Sequence, residues 1–188
     1  MPFKEAVIPL VDEMDESARA IESVNTVVNT AGRLKAYNTD YIAIRTLLRE
    51  HRVPPGSSFA LRGSGGMAKA VACALRDAGF RNGTIVARND AAGKPLAGLY
   101  GFGWQTAMEG LTADLLINVT PLGMAGGTEA QTQAFDDAAI EAARVVFDVV
   151  ALPPETPLIR RARALGKPVI TGAEVFALQA VEQFALYT

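Results

Sequence analysis

A glycine-rich segment, Gly63-Ser64-Gly65-Gly66-Met67-Ala68, has residue types and a spacing that suit the binding of a diphosphate. It follows an apolar run that predicts a strand, and it precedes apolar residues at helical spacing. Gly63 allows a tight turn, Gly65 lets the backbone approach phosphate oxygens, and Ala68 lets the helix pack close to the strand. The first N–H groups of that helix can then bind phosphate. The segment predicts a dinucleotide site, and a purely structural turn is the alternative.

The residues that end the next predicted strand, Ala87-Arg88-Asn89, indicate which dinucleotide binds. A protein that binds NAD usually has Asp or Glu here to hold the ribose 2′-hydroxyl. An arginine can instead pair with the 2′-phosphate of NADP and stack on adenine. Asp90 lies two residues beyond Arg88, and Arg88 could also be a solvated charge at a strand end. We predict that Arg88 and Asn89 contact NADP(H), with NAD(H) as the second choice.

From about residue 56 onward, predicted strands and helices follow one another along the chain. Short apolar runs predict strands at 58–61, 84–87, 113–119, 143–149 and 167–170. Helical spacing and end signals predict helices at 67–78, 156–165 and 174–186. Near-continuous apolar strands joined by helices are typical of a parallel sheet covered on both faces. The predicted fold class is therefore α/β, with a doubly wound Rossmann sheet.

The first 55 residues have a different pattern and predict a thin layer. Helices are predicted at 4–13, 16–21 and 39–51, and a hairpin is predicted at 24–29 and 33–37. The segment Val53-Pro54-Pro55-Gly56 predicts a hinge. We therefore predict three parts: an incomplete α/β layer at 1–55, a dinucleotide-binding domain at 56–171, and a C-terminal helix at 172–188 that packs back toward the first layer.

Composition and charge exclude several functional classes. A net charge of -2 and a pI near 5.5 argue against a general nucleic-acid binder, which needs clustered Lys and Arg. The one cysteine, Cys73, excludes an internal disulfide and suits a packing role, and the one histidine, His51, has no evident partners for zinc. No apolar run reaches membrane-spanning length, and no signal peptide pattern is present. We expect a soluble, cytoplasmic protein without a metal site.

Several motifs in a common order resemble the shikimate dehydrogenase family, and more closely its shikimate dehydrogenase-like branch of quinate/shikimate type. The matching segments run through nearly the whole chain and are Met1-Pro2-Phe3-Lys4, Ser23-Val24-Asn25-Thr26, Asn38-Thr39-Asp40, the glycine-rich segment, Asn118-Val119-Thr120-Pro121-Leu122-Gly123-Met124, and Gln179 in the last predicted helix. On this resemblance, residues 1–55 would be the remnant of a substrate-binding domain.

The resemblance implies reversible hydride transfer between NADP(H) and the ring hydroxyl or ketone of a shikimate- or quinate-like acid. It implies Lys4 and Asp40 as the catalytic pair. An ammonium can stabilise and protonate the alkoxide that ketone reduction creates, and a carboxylate can hold it in place. From residue types alone, Lys4 would be a solvated lysine and Asp40 an acid near a helix start. The resemblance also implies contacts to the substrate from Asn25 and Gln179, and to the cofactor from Val119, Thr120 and Gly172.

Three positions depart from the family pattern. Ala151 stands where the family has a tyrosine, so one hydroxyl that would hold the substrate is absent. Tyr41 replaces the glycine that usually follows Asn-Thr-Asp, and we expect it to add bulk near the site. Glu174 stands where backbone would approach the nicotinamide ring, and we expect it to alter that pocket. Together these changes predict an altered or weakened substrate preference.

The sequence begins inside the first motif of the family. A misplaced start codon, a fragment and a naturally short protein explain this, in that order of preference. A naturally short chain would expose apolar surface in residues 1–55, which predicts either self-association, such as a homodimer, or disorder in that part. Two other functions stay open: an NADP(H)-binding module without turnover, and a Rossmann enzyme of another kind, such as a folate or amino-acid dehydrogenase.

Overall fold

The N-terminal part of the chain forms a small three-stranded sheet with helices beside it. The computed structural model describes residues 3–188, so the motif residues Met1 and Pro2 lie outside the described range. The elements of this layer are a 3-10 helix at Ile8–Leu10, β1 at Glu13–Met14, α1 at Glu16–Arg19, β2 at Thr26–Thr30, β3 at Arg33–Tyr37 and α2 at Thr39–Glu50. Strand β3 lies in the centre, antiparallel to β2 and parallel to β1. The predicted hairpin is confirmed.

The helix predicted at 4–13 is wrong. Only a 3-10 turn forms there, with Pro9 in its first turn. Glu13 then pairs with Lys35 of β3, and the side chain of Asp12 accepts a 2.7 Å hydrogen bond from the amide of Leu34. Pairing with a strand that is distant in sequence outweighs the local helical spacing, because strand preference depends on the neighbours a segment finds.

The rest of the chain forms a parallel sheet of six strands with helices on both faces. Its elements are β4 at Phe59–Arg62, α3 at Gly66–Asp77, β5 at Gly83–Val86, α4 at Asp90–Tyr100, β6 at Gly103–Gln105, β7 at Leu115–Asn118, α5 at Asp137–Ala142, β8 at Val145–Asp148, α6 at Pro157–Ala164, β9 at Val169–Thr171 and α7 at Gly172–Tyr187. The strand order is β6-β5-β4-β7-β8-β9. This is the order of a doubly wound dinucleotide-binding sheet, so the predicted α/β fold class is confirmed.

Strands β4 and β7 are neighbours in the middle of this sheet, where the direction of chain progression reverses. In open α/β sheets, ligands bind beyond the carboxyl ends of the strands at such a switch point. The glycine-rich segment follows β4, and the segment that starts at Val119 follows β7. The topology therefore brings the two predicted cofactor segments to one edge of the sheet.

The sequence did not predict α4, β6 or α5. Helix α4 contains Pro95 and two glycines, which lower its intrinsic helix propensity. A Cβ atom on Gly93 would lie 2.4 Å from Nε1 of Trp104, so this glycine lets α4 pack closely against β6. Tertiary packing thus stabilises a helix that its own residues disfavour.

One hydrophobic cluster joins the N-terminal layer to the six-stranded sheet. Ile44 and Leu47 of α2 are buried together with Val71 and Leu75 of α3, and Leu178 of α7 packs against the same cluster. Continuous apolar packing of this kind holds α2, which follows Asn38, in a defined position relative to α3, which follows the glycine-rich segment. The division of the chain into domains near residue 55 stays a prediction, since this cluster crosses it.

Exposed apolar side chains occur in both parts of the chain. Phe3 and Leu10 are 73% and 71% exposed, and on α7 Phe176, Val181 and Phe184 are 67%, 62% and 69% exposed. Exposed apolar side chains are thus present both in the N-terminal layer and on α7. Self-association through these residues stays a prediction. Among residues 3–188, no helix combines the length and apolarity that crossing a membrane requires.

Candidate functional site

The glycine-rich segment turns sharply from β4 into α3. Gly63 has a φ of +127°, and a Cβ atom at this position would lie 2.7 Å from Cγ2 of Val119. A side chain would therefore collide with the segment that follows β7. Gly65 is the N-cap of α3 and offers no side chain to the free amides, and the first backbone hydrogen bond of the helix, from Lys69 N to Gly65 O, is 3.2 Å long. The amides of Gly66 to Ala68 are left for another acceptor.

The space beyond this turn suits a dinucleotide. Cβ atoms built on Gly65 and Gly66 would meet nothing within 4 Å, whereas Ala68 is fully buried against the sheet. A cleft of about 720 Å³ opens at the carboxyl ends of the strands. Among the predicted cofactor residues, those that line it are Gly63, Ser64, Arg88, Asn89 and Thr120. Arg62 and Arg88 line the cleft, as do Glu109, Glu129 and Asp136. An open helix start beside such a cleft fits a diphosphate with an adenosine attached.

A buried polar network shapes the turn after β7. The Oδ1 atom of Asn118 accepts hydrogen bonds from the amide and the hydroxyl of Thr120, at 3.0 and 2.6 Å. Its Nδ2 donates to Oδ1 of Asp148 at 3.0 Å, and the hydroxyl of Thr156 donates to Oδ2 of Asp148 at 2.7 Å. Burial raises the pKa of Asp148 to about 6, although these hydrogen bonds act to lower it. The network links the ends of β7 and β8 and so holds Val119 and Thr120 in place.

Lys4, Asp40 and Gln179 meet, although they come from three separate segments. Nζ of Lys4 lies 2.8 Å from Oδ2 of Asp40, and Nε2 of Gln179 donates to Oδ1 of the same carboxylate. The side chain of Asp40 is 8% exposed and that of Lys4 is 29% exposed. The backbone carbonyl of Lys4 accepts a 2.8 Å hydrogen bond from the amide of Val24, which fixes its segment beside the start of β2.

The start of α2 explains how Asp40 is positioned. Asn38 is the N-cap: its side chain accepts from the amide of Tyr41 at 3.1 Å and donates to the carbonyl of Ser23 at 2.9 Å. Oδ1 of Asn25 accepts from the amide of Thr39 at 2.9 Å. Asn25 is thus adjacent to the Lys4–Asp40 pair, but its oxygen is used inside the protein. Its side-chain NH2 group is the part that can reach a ligand.

Gly172 and Glu174 both lie in the first turn of α7, where their contacts within the protein are clear. A Cβ atom at Gly172 would lie 2.3 Å from the backbone of Val150. The absence of a side chain at Gly172 therefore lets the start of α7 pack against the segment that follows β8. The carboxylate of Glu174 caps α7 through Thr171 and lies 2.9 Å from Nε2 of His51, and its expected effect on the cofactor pocket stays a prediction. A contact between Gly172 and cofactor stays a prediction.

Tyr41 departs from the expectation of bulk near the site. Its side chain is buried in the core between α2 and α3 rather than in the space around Asp40, and its hydroxyl donates a 2.7 Å hydrogen bond to Oδ2 of Asp77. The expectation was wrong because the sequence does not show on which side of α2 this residue meets another helix.

The structure adds residues that sequence reasoning missed. Gln183 lies one helical turn beyond Gln179, and its Nε2 is 3.4 Å from the hydroxyl oxygen of Thr26 and 3.5 Å from that of Thr39. The spacing of two glutamines four residues apart is a signal that could have identified this face of α7. Arg62, the last residue of β4, lines the cofactor cleft. Arg62 immediately precedes the glycine-rich segment. The sequence motif depends on the small residues of that segment and does not include the residue before it.

The described part of the chain shows neither a metal site nor a reactive cysteine. Residues 3–188 contain no group of three or more His, Cys, Asp or Glu side chains arranged to hold a metal ion. Cys73 is fully buried, and burial raises the pKa of its thiol to about 11, so it is not a thiolate near neutral pH. The packing role predicted for Cys73 is consistent with this environment.

Comparison with known proteins identifies the family. A family model described as the shikimate dehydrogenase substrate binding domain matches residues 1–27. A shikimate dehydrogenase-like protein from Haemophilus influenzae is 53% identical over 188 residues, which cover 100% of this chain and 69% of that protein.

Two solved structures carry ligands and are similar along the whole chain. Quinate dehydrogenase from Corynebacterium glutamicum, in complex with NAD, has a TM-score of 0.88 at 32% identity. Shikimate 5-dehydrogenase from Thermus thermophilus, in complex with NADP(H) and shikimate, has a TM-score of 0.86 at 30% identity. Each comparison covers 100% of this chain and 70% of the other. Since the strand order, the glycine turn and a relative matched over the full sequence agree, the chain belongs to the shikimate dehydrogenase family of oxidoreductases.

Proposed function

We propose that this protein transfers hydride reversibly between NADP(H) and a shikimate- or quinate-like cyclic hydroxy acid, in the manner of 3-dehydroshikimate reduction to shikimate. The observation that carries the proposal is the 2.8 Å contact between Nζ of Lys4 and Oδ2 of Asp40. A mostly buried carboxylate paired with a lysine that retains some exposure is an arrangement that can exchange a proton with a bound hydroxyl or ketone.

The chemistry assigns distinct roles to the pair. NADPH, when bound, supplies the hydride that adds to the carbonyl carbon of the ketone. The carbonyl oxygen then gains negative charge, which the ammonium of Lys4 stabilises and protonates through Nζ. Asp40 holds Nζ in position through the 2.8 Å contact. In the reverse direction the neutral amine of Lys4 accepts the hydroxyl proton while hydride leaves the same carbon.

The proposed substrate contacts use one donor and one acceptor that form no hydrogen bond within residues 3–188. The NH2 group of Asn25 can donate to a ring hydroxyl, while its oxygen stays bonded to Thr39. The carbonyl oxygen of Gln179 can accept from a hydroxyl, while its NH2 group is bonded to Asp40. Ala151 offers no hydroxyl of its own. A cyclic acid with several hydroxyl groups suits this set of donors and acceptors.

The proposed cofactor is NADP(H) rather than NAD(H). Arg88 follows β5 in the cleft, and no carboxylate occupies the neighbouring Ala87 position. A solved relative in the comparison above binds NADP(H) and another binds NAD, so the family accommodates both. We propose that Gly65, Gly66, Met67 and Ala68 present their backbone to the diphosphate.

A steady-state assay tests the proposal. Purified protein is mixed with shikimate or quinate and with NADP+ or NAD+, and formation of the reduced nicotinamide is followed by absorbance. Lys4→Met and Asp40→Asn should each lower kcat by ~10²–10⁴-fold while leaving the Kd for NADPH unchanged. Lys35→Met is the matched control, because Lys35 pairs with Glu13 on the small sheet and should retain full turnover. Unchanged turnover in Lys4→Met would contradict the proposed mechanism.

A second candidate function is NADP(H) binding without turnover. It is favoured by the fact that both oxygens of Asp40 are already bonded, to Lys4 and Gln179. This candidate predicts tight NADPH binding by the wild type, no turnover with either acid, and the same Kd in Lys4→Met and Asp40→Asn. The combined assay and binding titration therefore separates the two functions.

A further inference from the structure

Two arginines lie at the carboxyl ends of adjacent strands in the cofactor cleft. Arg62 is the last residue of β4 and pairs in register with Val86, the last residue of β5, and Arg88 follows two residues later. Both arginines line the same cleft of about 720 Å³. Their positions are set by the parallel pairing of β4 and β5, so the two side chains start from neighbouring points on one sheet edge.

The side chain of Arg62 follows the alternation of β4. Residues two apart on a strand share a face, so Arg62 lies on the same face as Ala60, which packs in the cluster that contains Phe135 and Ile140. Arg62 is only partly buried and donates one hydrogen bond, from a terminal nitrogen to the carbonyl oxygen of Ala134. A guanidinium has five N–H donors, so most of them remain for a ligand.

The cleft that holds the two arginines is also lined by three acidic residues, Glu109, Glu129 and Asp136. In residues 3–188, neither Arg62 nor Arg88 forms an ion pair. Burial lowers the pKa of Arg62, the charge of Arg88 lowers it further, and the carboxylate of Glu129 has a smaller opposite effect. Two like charges held in one cleft repel each other, and an anion bound between them would offset that repulsion.

We propose that Arg62 is a second specificity determinant of the cofactor site and binds the 2′-phosphate of NADP(H) together with Arg88. This inference rests on the proposed function. The diphosphate is common to NAD and NADP and faces the start of α3, whereas the 2′-phosphate is the added anion of NADP. A phosphate monoester presents three oxygens, which two guanidiniums can bind from different sides.

Calorimetric titrations with NADPH and NADH, and with adenosine 2′,5′-bisphosphate and 5′-AMP, test this inference. Arg62→Met removes the charge and retains an unbranched side chain, and Arg62→Lys retains the charge without the fork of donors. Arg62→Met should weaken NADPH and the bisphosphate roughly 10- to 100-fold, with NADH and 5′-AMP changed less than about threefold. Arg62→Lys should weaken the binding of NADPH and the bisphosphate less than Arg62→Met does. Arg49→Met, an exposed arginine on α2, is the matched control and should change none of the four affinities.

The outcomes separate this inference from the proposed function. Equal weakening of NADPH and NADH in Arg62→Met would overturn the inference, since the residue would then stack on adenine or support the loop at Ala134. No change in either affinity would also overturn it. In the double variant Arg62→Met with Arg88→Met, the ratio of NADPH to NADH affinity should fall to about one. If the wild type binds neither coenzyme, the inference and the proposed function both fail.

Discussion

The hydroxyl of Tyr41 donates a 2.7 Å hydrogen bond to Oδ2 of Asp77, the last residue of α3. This bond joins the helix that begins beside Asp40 to the helix that begins at the glycine-rich segment. A carboxylate at a helix C-terminus is disfavoured by the helix dipole, so Asp77 gains from partners such as Tyr41 and Arg76. The two candidate sites are thus connected by a polar contact as well as by the shared hydrophobic cluster.

Tyr41→Phe should destabilise the fold without removing any core volume. It removes the donor to a charged carboxylate, which is worth about 1.5–3 kcal/mol, and we expect a loss in the free energy of unfolding near the lower end. Urea denaturation would measure it. Tyr37→Phe is the control, because within the described residues the Tyr37 hydroxyl forms no hydrogen bond, and it should stay within about 0.5 kcal/mol of the wild type. Equal stability of the two variants would show that the Tyr41–Asp77 bond contributes nothing.

Gly63→Ala and Gly65→Ala should separate folding from cofactor binding. At Gly63 a methyl group would lie 2.7 Å from Cγ2 of Val119, and the φ of +127° is unfavourable for a residue with a side chain. We therefore expect the free energy of unfolding to fall by about 1–3 kcal/mol. At Gly65 the methyl group meets nothing within 4 Å, so the fold should be unaffected. If the diphosphate approaches this backbone, Gly65→Ala should still weaken NADPH binding.

Thermal melts and NADPH titrations of the two glycine variants provide the measurements. A Gly65→Ala protein with wild-type melting temperature and wild-type NADPH affinity would contradict the placement of the diphosphate at the start of α3.

Arg88→Ala should change the preference between the two coenzymes. Loss of a charge-assisted contact to the 2′-phosphate should weaken NADPH binding by about 1.5–3 kcal/mol and leave NADH binding nearly unchanged. The binding should also become less sensitive to salt, since one charged contact is gone. Competitive titration at two ionic strengths measures both effects. An equal loss of affinity for NADPH and NADH would mean that Arg88 does not contact the 2′-phosphate.

Asp148 should make the folded protein less stable as the pH rises from about 4 to about 7. Its pKa in the folded protein is raised to about 6 from an ordinary value of 3.8, mainly by burial. A raised pKa means that the folded state binds the proton more tightly than the unfolded state, so the contribution is fully present below about pH 4. It is then lost as the pH rises through about 6, for a total of ~2–3 kcal/mol.

Urea denaturation from pH 4 to pH 7 measures this dependence, with Asp148→Asn as the comparison. The variant cannot titrate at this position, so the difference in unfolding free energy between it and the wild type should change across this range and level off above it. Asp137→Asn is the control: hydrogen bonding from Gln133 lowers the pKa of Asp137 below its ordinary value of 3.8, so its contribution is fully present above about pH 4 and this variant should differ from the wild type by a constant amount across the range. A constant difference for Asp148→Asn would contradict the shifted pKa.

Much of the larger sheet could be predicted because its signals are local. Each of β4, β5, β7, β8 and β9 is a short apolar run, and α3 and α6 have helical spacing with clear ends. Helix α4 and strand β6 could not be predicted, since Pro95 and the glycines of α4 suit a helix only once Trp104 packs beside Gly93. The 3-10 turn in place of the helix at 4–13 has the same kind of cause, because β1 forms only against β3.

The sequence by itself determined the α/β fold class, the glycine turn and the types of residue that could do chemistry. Its signals are short-range: strand alternation, helical spacing, and glycines where no side chain fits. The family resemblance implied Lys4 and Asp40 as a pair, but only the tertiary structure showed their contact across 36 positions and the hydrogen bond from Gln179 to the same carboxylate across 139. The tertiary structure alone turned Tyr41 toward Asp77 and brought Arg62 into the cleft with Arg88. Contacts between residues so far apart depend on how helices and strands pack, and packing is a property of the whole chain.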